Sequence, residues 1–162
     1  MKARDVISRR AFVRGASLAA AAGGLSLLPC PAHAQAELVV VVNAQADTGP
    51  LNEAQLASIF TGGDKAWKNG KPIKVFNLAA QTPERAQFDK VVLKKTPEQV
   101  SQYWVDKLVR GEGQPPTQVP RVELMAKVVA SLPGAIGYVT PDKVDAKLIV
   151  VARIRGGKVV AP

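Results

Sequence analysis

Cysteine and histidine are nearly absent from this chain of 162 residues, which has one of each, Cys30 and His33. Both fall within residues 1–34, a segment whose sequence is typical of a removable export signal. Without them, the remaining chain has no Ser-His-Asp triad, no thiolate nucleophile and no zinc site built from imidazole or sulfur. It also lacks a Walker loop and a dinucleotide fingerprint, and its acidic residues are scattered. An enzyme is therefore the weaker class of function, and we predict no catalytic residues, no metal site and no cofactor.

The N-terminal segment predicts export from the cytoplasm. The stretch "SRRAFVRGA" resembles the twin-arginine export motif through its paired arginines. A modestly apolar stretch follows and ends in "AHA" at Ala34, a small-x-small pattern typical of signal cleavage. The stretch is short for a membrane span and rich in alanine and glycine. We predict a twin-arginine-like signal peptide at 1–34, a single domain at 35–162, and a periplasmic or otherwise extracytoplasmic location.

Positive charge dominates the chain, but aromatic residues are few. The formal net charge is +9 at pH 7, and only 5% of the residues are aromatic. A nucleic-acid groove combines basic with aromatic side chains, and export removes a protein from most nucleic acid. A solvated surface explains the lysines around the Asn69-Gly70 turn better than a binding surface does. These lysines are Lys65, Lys68, Lys71 and Lys74. We therefore expect no nucleic-acid partner.

Strand and helix patterns alternate after the predicted signal. The continuous apolar run "ELVVVVN" is typical of a buried strand in a parallel sheet, and "IKVFNL" predicts a second strand. Asn52 and Thr96 are expected to cap helices, because each has a glutamine three residues on. The segment "QPPTQVP" is expected to be a loop, and Gly156-Gly157 to turn a closing hairpin. This order predicts an α/β domain with a mostly parallel central sheet and flanking helices.

The carboxyl ends of the first two predicted strands are the candidate ligand site, because open α/β sheets bind ligands there. The first strand ends at Asn43, and the second runs into "AAQTPER". There Thr82 is expected to cap a helix, and Arg85 stands where a capping Glu or Gln is usual. A cation in the first turn opposes the helix dipole unless a bound anion offsets it. We therefore predict an oxyanion site formed by Asn43, Gln81, Thr82 and Arg85.

A simpler interpretation of Arg85 needs no ligand. Its side chain either points to solvent or pairs with a carboxylate, Glu84 beside it or Asp89 one turn on. Trp67 and Trp104 are likewise expected in the core rather than stacked on a ligand. The sequence leaves both interpretations of Arg85 open.

Four stretches of the chain resemble the substrate-binding proteins of phosphate ABC transporters. They are "LNEAQLASIFTGGDKAWKNGKPIKV", "RAQFDKVVL", "YWVDKLVRGEGQPP" and "LPGAIGYV". The chain is most similar to the small, single-lobe members of that group. The resemblance implies one lobe of a type II periplasmic-binding fold. It also implies capture of phosphate or a related oxyanion for delivery to a membrane transporter.

The chain departs from this family at the expected ligand loop. Family members carry an arginine followed by a Gly-Ser-Gly-Thr-type loop, whereas this chain has "NLAAQTPERAQF". Only Thr82 stands near the expected threonine, and Arg85 is a substitute for the family arginine. Two functions stay open. One is an extracytoplasmic oxyanion-binding protein, whose half-open site a second copy or a partner could close. The other is a periplasmic interaction module that has lost the ligand and docks on a transporter or another envelope protein.

Overall fold

The computed structural model describes residues 36–162 of the chain. The predicted signal peptide and its cleavage site lie outside these residues, so they stay predictions, as does the domain boundary between residues 34 and 35. The strands are β1 (Leu38–Asn43), β2 (Lys74–Leu78), β3 (Thr117–Val119), β4 (Ala135–Val139), β5 (Leu148–Arg155) and β6 (Lys158–Val160). The helices are α1 (Glu53–Phe60), α2 (Pro83–Phe88), α3 (Pro97–Val109) and α4 (Val122–Ser131). A π-helical turn (Asp89–Leu93) continues α2, and a 3-10 turn (Pro141–Lys143) follows β4.

The six strands form one sheet in the order β3-β2-β4-β1-β5-β6. β2 pairs in parallel with β3 and β4, whereas β1 pairs antiparallel with β4 and β5. β6 forms the predicted closing hairpin with β5. The strands β2, β3, β4 and β5 therefore point in the same direction. The predicted α/β class, with helices flanking a sheet, is confirmed.

The prediction that β1 pairs in parallel with its neighbours is wrong. All residues of β1 are buried. Its unbroken apolar run is explained by this burial and not by the direction of the strand. A strand between two others at the centre of a covered sheet is buried on both faces whichever way it runs, so its composition does not report its direction. This correction affects the predicted ligand site. The carboxyl end of β1 lies at one end of the strands of the sheet, and the carboxyl end of β2 lies at the other.

Two of the three predicted helix caps form as expected. Asn52 and Thr96 each accept a hydrogen bond from the backbone of the glutamine three residues on, which bonds back to the cap. Thr82 occupies the N-cap position of α2, but its hydroxyl makes no side-chain cap. Instead, the Thr82 hydroxyl donates to the carbonyl of Ala79 at 2.9 Å. A threonine hydroxyl before a helix can bond either to the backbone of the preceding turn or to a free N–H of the first helical turn. In Thr82 the hydroxyl bonds to the preceding turn.

An aromatic cluster joins α1, α2 and β4 beneath the sheet. The rings of Phe88 and Tyr138 stack with their centroids 4.0 Å apart and an interplanar angle of 4°. The ring centroids of Phe60 and Phe88 are 4.6 Å apart. All three side chains are fully buried. Offset aromatic contacts add to the hydrophobic stabilisation of such a core. This cluster fixes the position of α2, and with it the residue at the centre of the candidate site.

The apolar stripe predicted for α3 is only partly buried. Val100 and Trp104 face the core as expected, but Leu108 is 55% exposed. The segment predicted as a loop after α3 also contains β3, which pairs with β2 at the edge of the sheet. The periodicity of the sequence identified Leu108 as part of an apolar stripe. It did not show that the sheet does not extend far enough to cover this residue. Within residues 36–162, no helix combines the length and apolarity needed to cross a membrane.

Candidate functional site

Arg85 is a buried cation at the carboxyl end of β2. The residue is only 3% exposed. Its Nε donates to Asp89 Oδ2, and its Nη1 donates to the carbonyl of Leu78 at 2.7 Å. The spacing of four residues places the carboxylate on the same helical face, one turn along. The pairing of Arg85 with Asp89, left open by the sequence, is therefore present, and a solvent-facing Arg85 is not.

The partner carboxylate is in an unfavourable environment of its own. Asp89 is fully buried, and its second oxygen, Oδ1, has no hydrogen-bond partner in the described part of the chain. Burial disfavours the charged form and raises the pKa of Asp89 to about 6, although the Arg85 guanidinium acts in the opposite direction. Glu98 on α3 adds a smaller upward contribution to this pKa. The Arg85–Asp89 pair is thus close to neutral overall, and its charge state is sensitive to mild acid.

A second buried polar pair lies beside the first. The Tyr138 hydroxyl donates to Asn77 Oδ1 and accepts a hydrogen bond from the Leu78 N–H at 3.3 Å. Burial raises the pKa of Tyr138, so the phenol stays neutral. Because Tyr138 occupies the Asn77 oxygen, the Asn77 amide nitrogen is the end of that side chain left for another contact. Asn77 is 2% exposed.

Arg85 and Asn77 line a cavity of about 220 Å³ between the sheet edge, α3 and the segment before β3. We call it the Arg85 cavity. Its polar wall includes Gln118, which pairs with Asn77 in the register of β2 and β3. Its remaining lining residues are Ser101, Trp104, Val105, Leu108, Pro115 and Pro116. The cavity therefore has guanidinium and amide groups on one side and an apolar wall on the other.

A larger cavity of about 510 Å³ adjoins this one and shares Trp104 with it. Lys65, Lys74 and Lys107 line the larger cavity, together with acidic residues. Lys107 already donates to the carbonyl of Thr61 at 3.0 Å and lies 5.4 Å from the centre of the Trp104 ring. Lys65 and Lys74 are exposed, as the interpretation of a solvated lysine surface expects. The buried polar side chains belong to the smaller cavity, which makes it the better candidate site.

The structure does not bring the predicted site residues together. Asn43 and Arg85 lie near opposite ends of the strands, because β1 is antiparallel to β2 and β4. The Asn43 amide donates to the carbonyls of Val129 and Ala130 at 3.0 and 2.9 Å, and so ties the end of β1 to α4. The grouping of Asn43 with Arg85 was wrong because it assumed that the two strands were parallel.

Gln81 and Thr82 lie in the turn between β2 and α2, at the same end of β2 as Arg85. Gln81 is exposed and Thr82 is half-buried, and neither lines the Arg85 cavity. Of the predicted residues, Arg85 alone does so. Sequence reasoning missed Asn77, although a polar residue inside the apolar strand "IKVFNL" was a usable signal. It also missed Gln118, because β3 was not recognised as a strand. The expected core position of Trp104 is confirmed, since the residue is 7% exposed.

Within residues 36–162, no cluster of three or more acidic, histidine or cysteine side chains is placed to hold a metal ion. The absence of a metal or cofactor in the working protein stays a prediction. What the site offers chemically is a fixed guanidinium, two amide side chains, the Ser101 hydroxyl and an apolar wall. These groups can bind and orient a polar group.

No protein-family model matches the chain. Among solved structures it is similar to an ABC-type phosphate transport receptor from Vibrio cholerae, with a TM-score of 0.57 and 19% identity over 73% of this chain and 47% of that one. It is also similar to a putative phosphate ABC transporter substrate-binding protein with bound phosphate from Clostridium perfringens, with a TM-score of 0.58 and 18% identity over 73% and 46%. The PstS protein of Borrelia burgdorferi matches with a TM-score of 0.56 and 16% identity over 73% and 48%.

The chain thus spans about half the length of the solved proteins that it matches. Identities below 20% establish a common fold but not a common ligand. The resemblance found in the sequence is confirmed at this level. The described residues have the fold of one lobe of a phosphate ABC transporter substrate-binding protein.

Proposed function

We propose that this chain is an extracytoplasmic binding protein, not an enzyme, and that it holds an oxyanion in the Arg85 cavity. The observation that carries the proposal is the buried guanidinium of Arg85, fixed by Asp89 and the Leu78 carbonyl at the wall of the cavity. Guanidinium groups are costly to bury and recognise oxyanions with directed N–H donors. No described residue accepts a hydrogen bond from Arg85 Nη2, which leaves this nitrogen as a donor for a ligand.

The proposed site consists of Arg85, Asn77 and Gln118, with Gln81 and Thr82 as flanking residues in the turn before α2. Asn43 is not part of it, because its amide is bonded to α4. The similar proteins from Vibrio cholerae and Clostridium perfringens are described as a phosphate transport receptor and a phosphate ABC transporter substrate-binding protein. These descriptions favour phosphate or a related oxyanion as ligand and a membrane transporter as partner. The twin-arginine-like signal favours an extracytoplasmic location.

One lobe leaves a ligand half exposed, so we expect weak binding unless a second copy or a partner covers the site. Calorimetric titration of the purified protein with phosphate, sulfate and acetate tests the proposal. At least one of these anions should bind with a dissociation constant of about 1 mM or lower. Arg85→Lys should weaken that binding about tenfold, because lysine keeps the charge but loses the planar fork of donors.

Two further variants make the titration decisive. Gln118 is exposed at the sheet edge, so Gln118→Ala should fold normally and still weaken binding. Arg110→Ala is the matched control, because Arg110 is an exposed arginine that pairs with Glu112 outside the cavity. Binding should be unchanged in this control. If none of the three anions gives a measurable heat of binding at millimolar concentration, the proposal is refuted.

One observation favours the alternative function, a periplasmic interaction module without a ligand. Three apolar side chains of α3 point outward: Val105 is 53% exposed, Leu108 55% and Val109 82%. Adjacent exposed apolar residues on one helix are typical of a protein-protein contact. Cross-linking in envelope fractions tests this role. A membrane partner recovered equally with wild type and Arg85→Lys, but lost with Val109→Asp, would favour the module over the binding protein.

A further inference from the structure

We infer that the Arg85 cavity selects a small organic carboxylate with an apolar body over inorganic phosphate. The juxtaposition that carries this inference is a guanidinium neutralised by its own carboxylate, facing a wall of apolar side chains across one small cavity. The inference rests on the proposed function, because it names the class of oxyanion that the same site would take.

The charge of the cavity argues against a dianion. Among the described residues that line the cavity, Arg85 is the only charged one, and Asp89 is bonded directly to it. A ligand therefore meets a compensated cation with a carboxylate immediately behind it. Transfer of an anion from water into such a site is costly, and the cost rises with the charge that must lose its hydration. A single carboxylate satisfies this site better than phosphate in its doubly charged form.

The number of donors points the same way. The polar wall provides the free Nη2 of Arg85 and the amide groups of Asn77 and Gln118. The Ser101 hydroxyl already donates to the carbonyl of Pro97 at 2.8 Å, so it faces the cavity as an acceptor rather than as a donor. Three donor groups on one side match the two oxygens of a carboxylate. Phosphate has four oxygens arranged around a centre, and those facing away from this wall would have no partner.

The opposite wall of the cavity is apolar. It consists of Trp104, Val105, Leu108, Pro115 and Pro116, and the unpaired Nε1 of Trp104 is buried below the surface rather than exposed to the cavity. An oxygen pressed against such a wall loses its water without gaining a hydrogen bond, whereas a hydrocarbon group gains from the same contact. The exposed positions of Val105 and Leu108 leave these side chains free to cover a ligand from outside. The wall thus favours a ligand whose second half is aliphatic or aromatic.

Competition among defined anions tests the inference. The purified protein is titrated with sodium acetate, butyrate, benzoate and inorganic phosphate at equal ionic strength. Affinity should rise along the carboxylate series, by about tenfold from acetate to benzoate. Benzoate should bind at least about tenfold more tightly than phosphate.

A pair of variants on one helix isolates the apolar wall. Leu108 and Val109 are neighbouring exposed residues of α3, but only Leu108 lines the cavity. Leu108→Ser should weaken benzoate binding about fivefold with little effect on acetate, and Val109→Ser should change neither. If phosphate binds more tightly than every carboxylate, or if both variants behave alike, the selectivity is refuted while the oxyanion site survives. If no anion binds, the proposed function fails and this inference fails with it.

Discussion

Ionisation of Asp89 should make the stability of this protein depend on pH in a window where most carboxylates no longer titrate. The carboxylate is fully buried, and burial raises its pKa from an ordinary value of 3.8 to about 6. A pKa that is higher in the folded than in the unfolded state means that the folded protein holds the proton more tightly. The resulting stabilisation is fully present below about pH 4 and is lost as pH rises through about 6.

The magnitude follows from the size of the shift. A difference of about two pKa units corresponds to about 3 kcal/mol of unfolding free energy. The groups facing Asp89 are Arg85 on its own helix, Glu98 on α3 and the neutral Tyr138 on β4. The half-buried Glu37 and the exposed Glu98, Glu112 and Asp142 have lowered pKa values. Their effect is opposite in sign, because acid removes the stabilisation that their charged forms provide.

A comparison with Asp89→Asn isolates the effect of this one group. Asparagine has nearly the same shape, can still accept from Arg85 Nε, and does not titrate, so its curve contains every other group. Unfolding in urea is measured for both proteins at several values from about pH 4 to pH 7. The stability of wild type relative to the variant should fall by about 2–2.5 kcal/mol across that range, which is most of the total. A constant difference between the two proteins would refute the reasoning, since Asp89 would then ionise as it does in the unfolded chain.

Three further predictions concern the polar groups around the cavity. Protonation of Asp89 leaves the Arg85 charge uncompensated, so benzoate affinity should rise severalfold between about pH 7 and pH 5, measured by calorimetry, and this rise should be absent in Asp89→Asn. Tyr138→Phe removes the acceptor of the Leu78 N–H and the donor to Asn77; we expect a loss of about 1–3 kcal/mol in urea unfolding, and an unchanged midpoint would contradict it. The buried Trp104 Nε1 has no partner within residues 36–162, so Trp104→Phe removes packing but no hydrogen bond; we expect a loss of about 1–2 kcal/mol in urea unfolding, and an unchanged stability would contradict the place of this ring in the core.

Local sequence determined where most helices and strands of this protein begin and end. Asn52 and Thr96 form the predicted caps because a cap needs only residues three positions apart. The apolar run of β1 predicted a buried strand, and the turn at Gly156-Gly157 predicted the closing hairpin. These features depend on interactions between residues that are close together along the chain. A short stretch of sequence is therefore enough to predict them.

The direction of β1, the position of Asn43 and the pairing of Arg85 were decided by tertiary structure. Strand direction depends on which distant segment pairs with which, and a strand buried on both faces has the same composition in either orientation. The same helix start was compatible with an anion, with solvent or with Asp89 as the partner of Arg85. Docking of α2 against Phe60 and Tyr138 excluded the solvent-facing alternative, because it buried the guanidinium where Asp89 accepts from Nε and the Leu78 carbonyl accepts from Nη1.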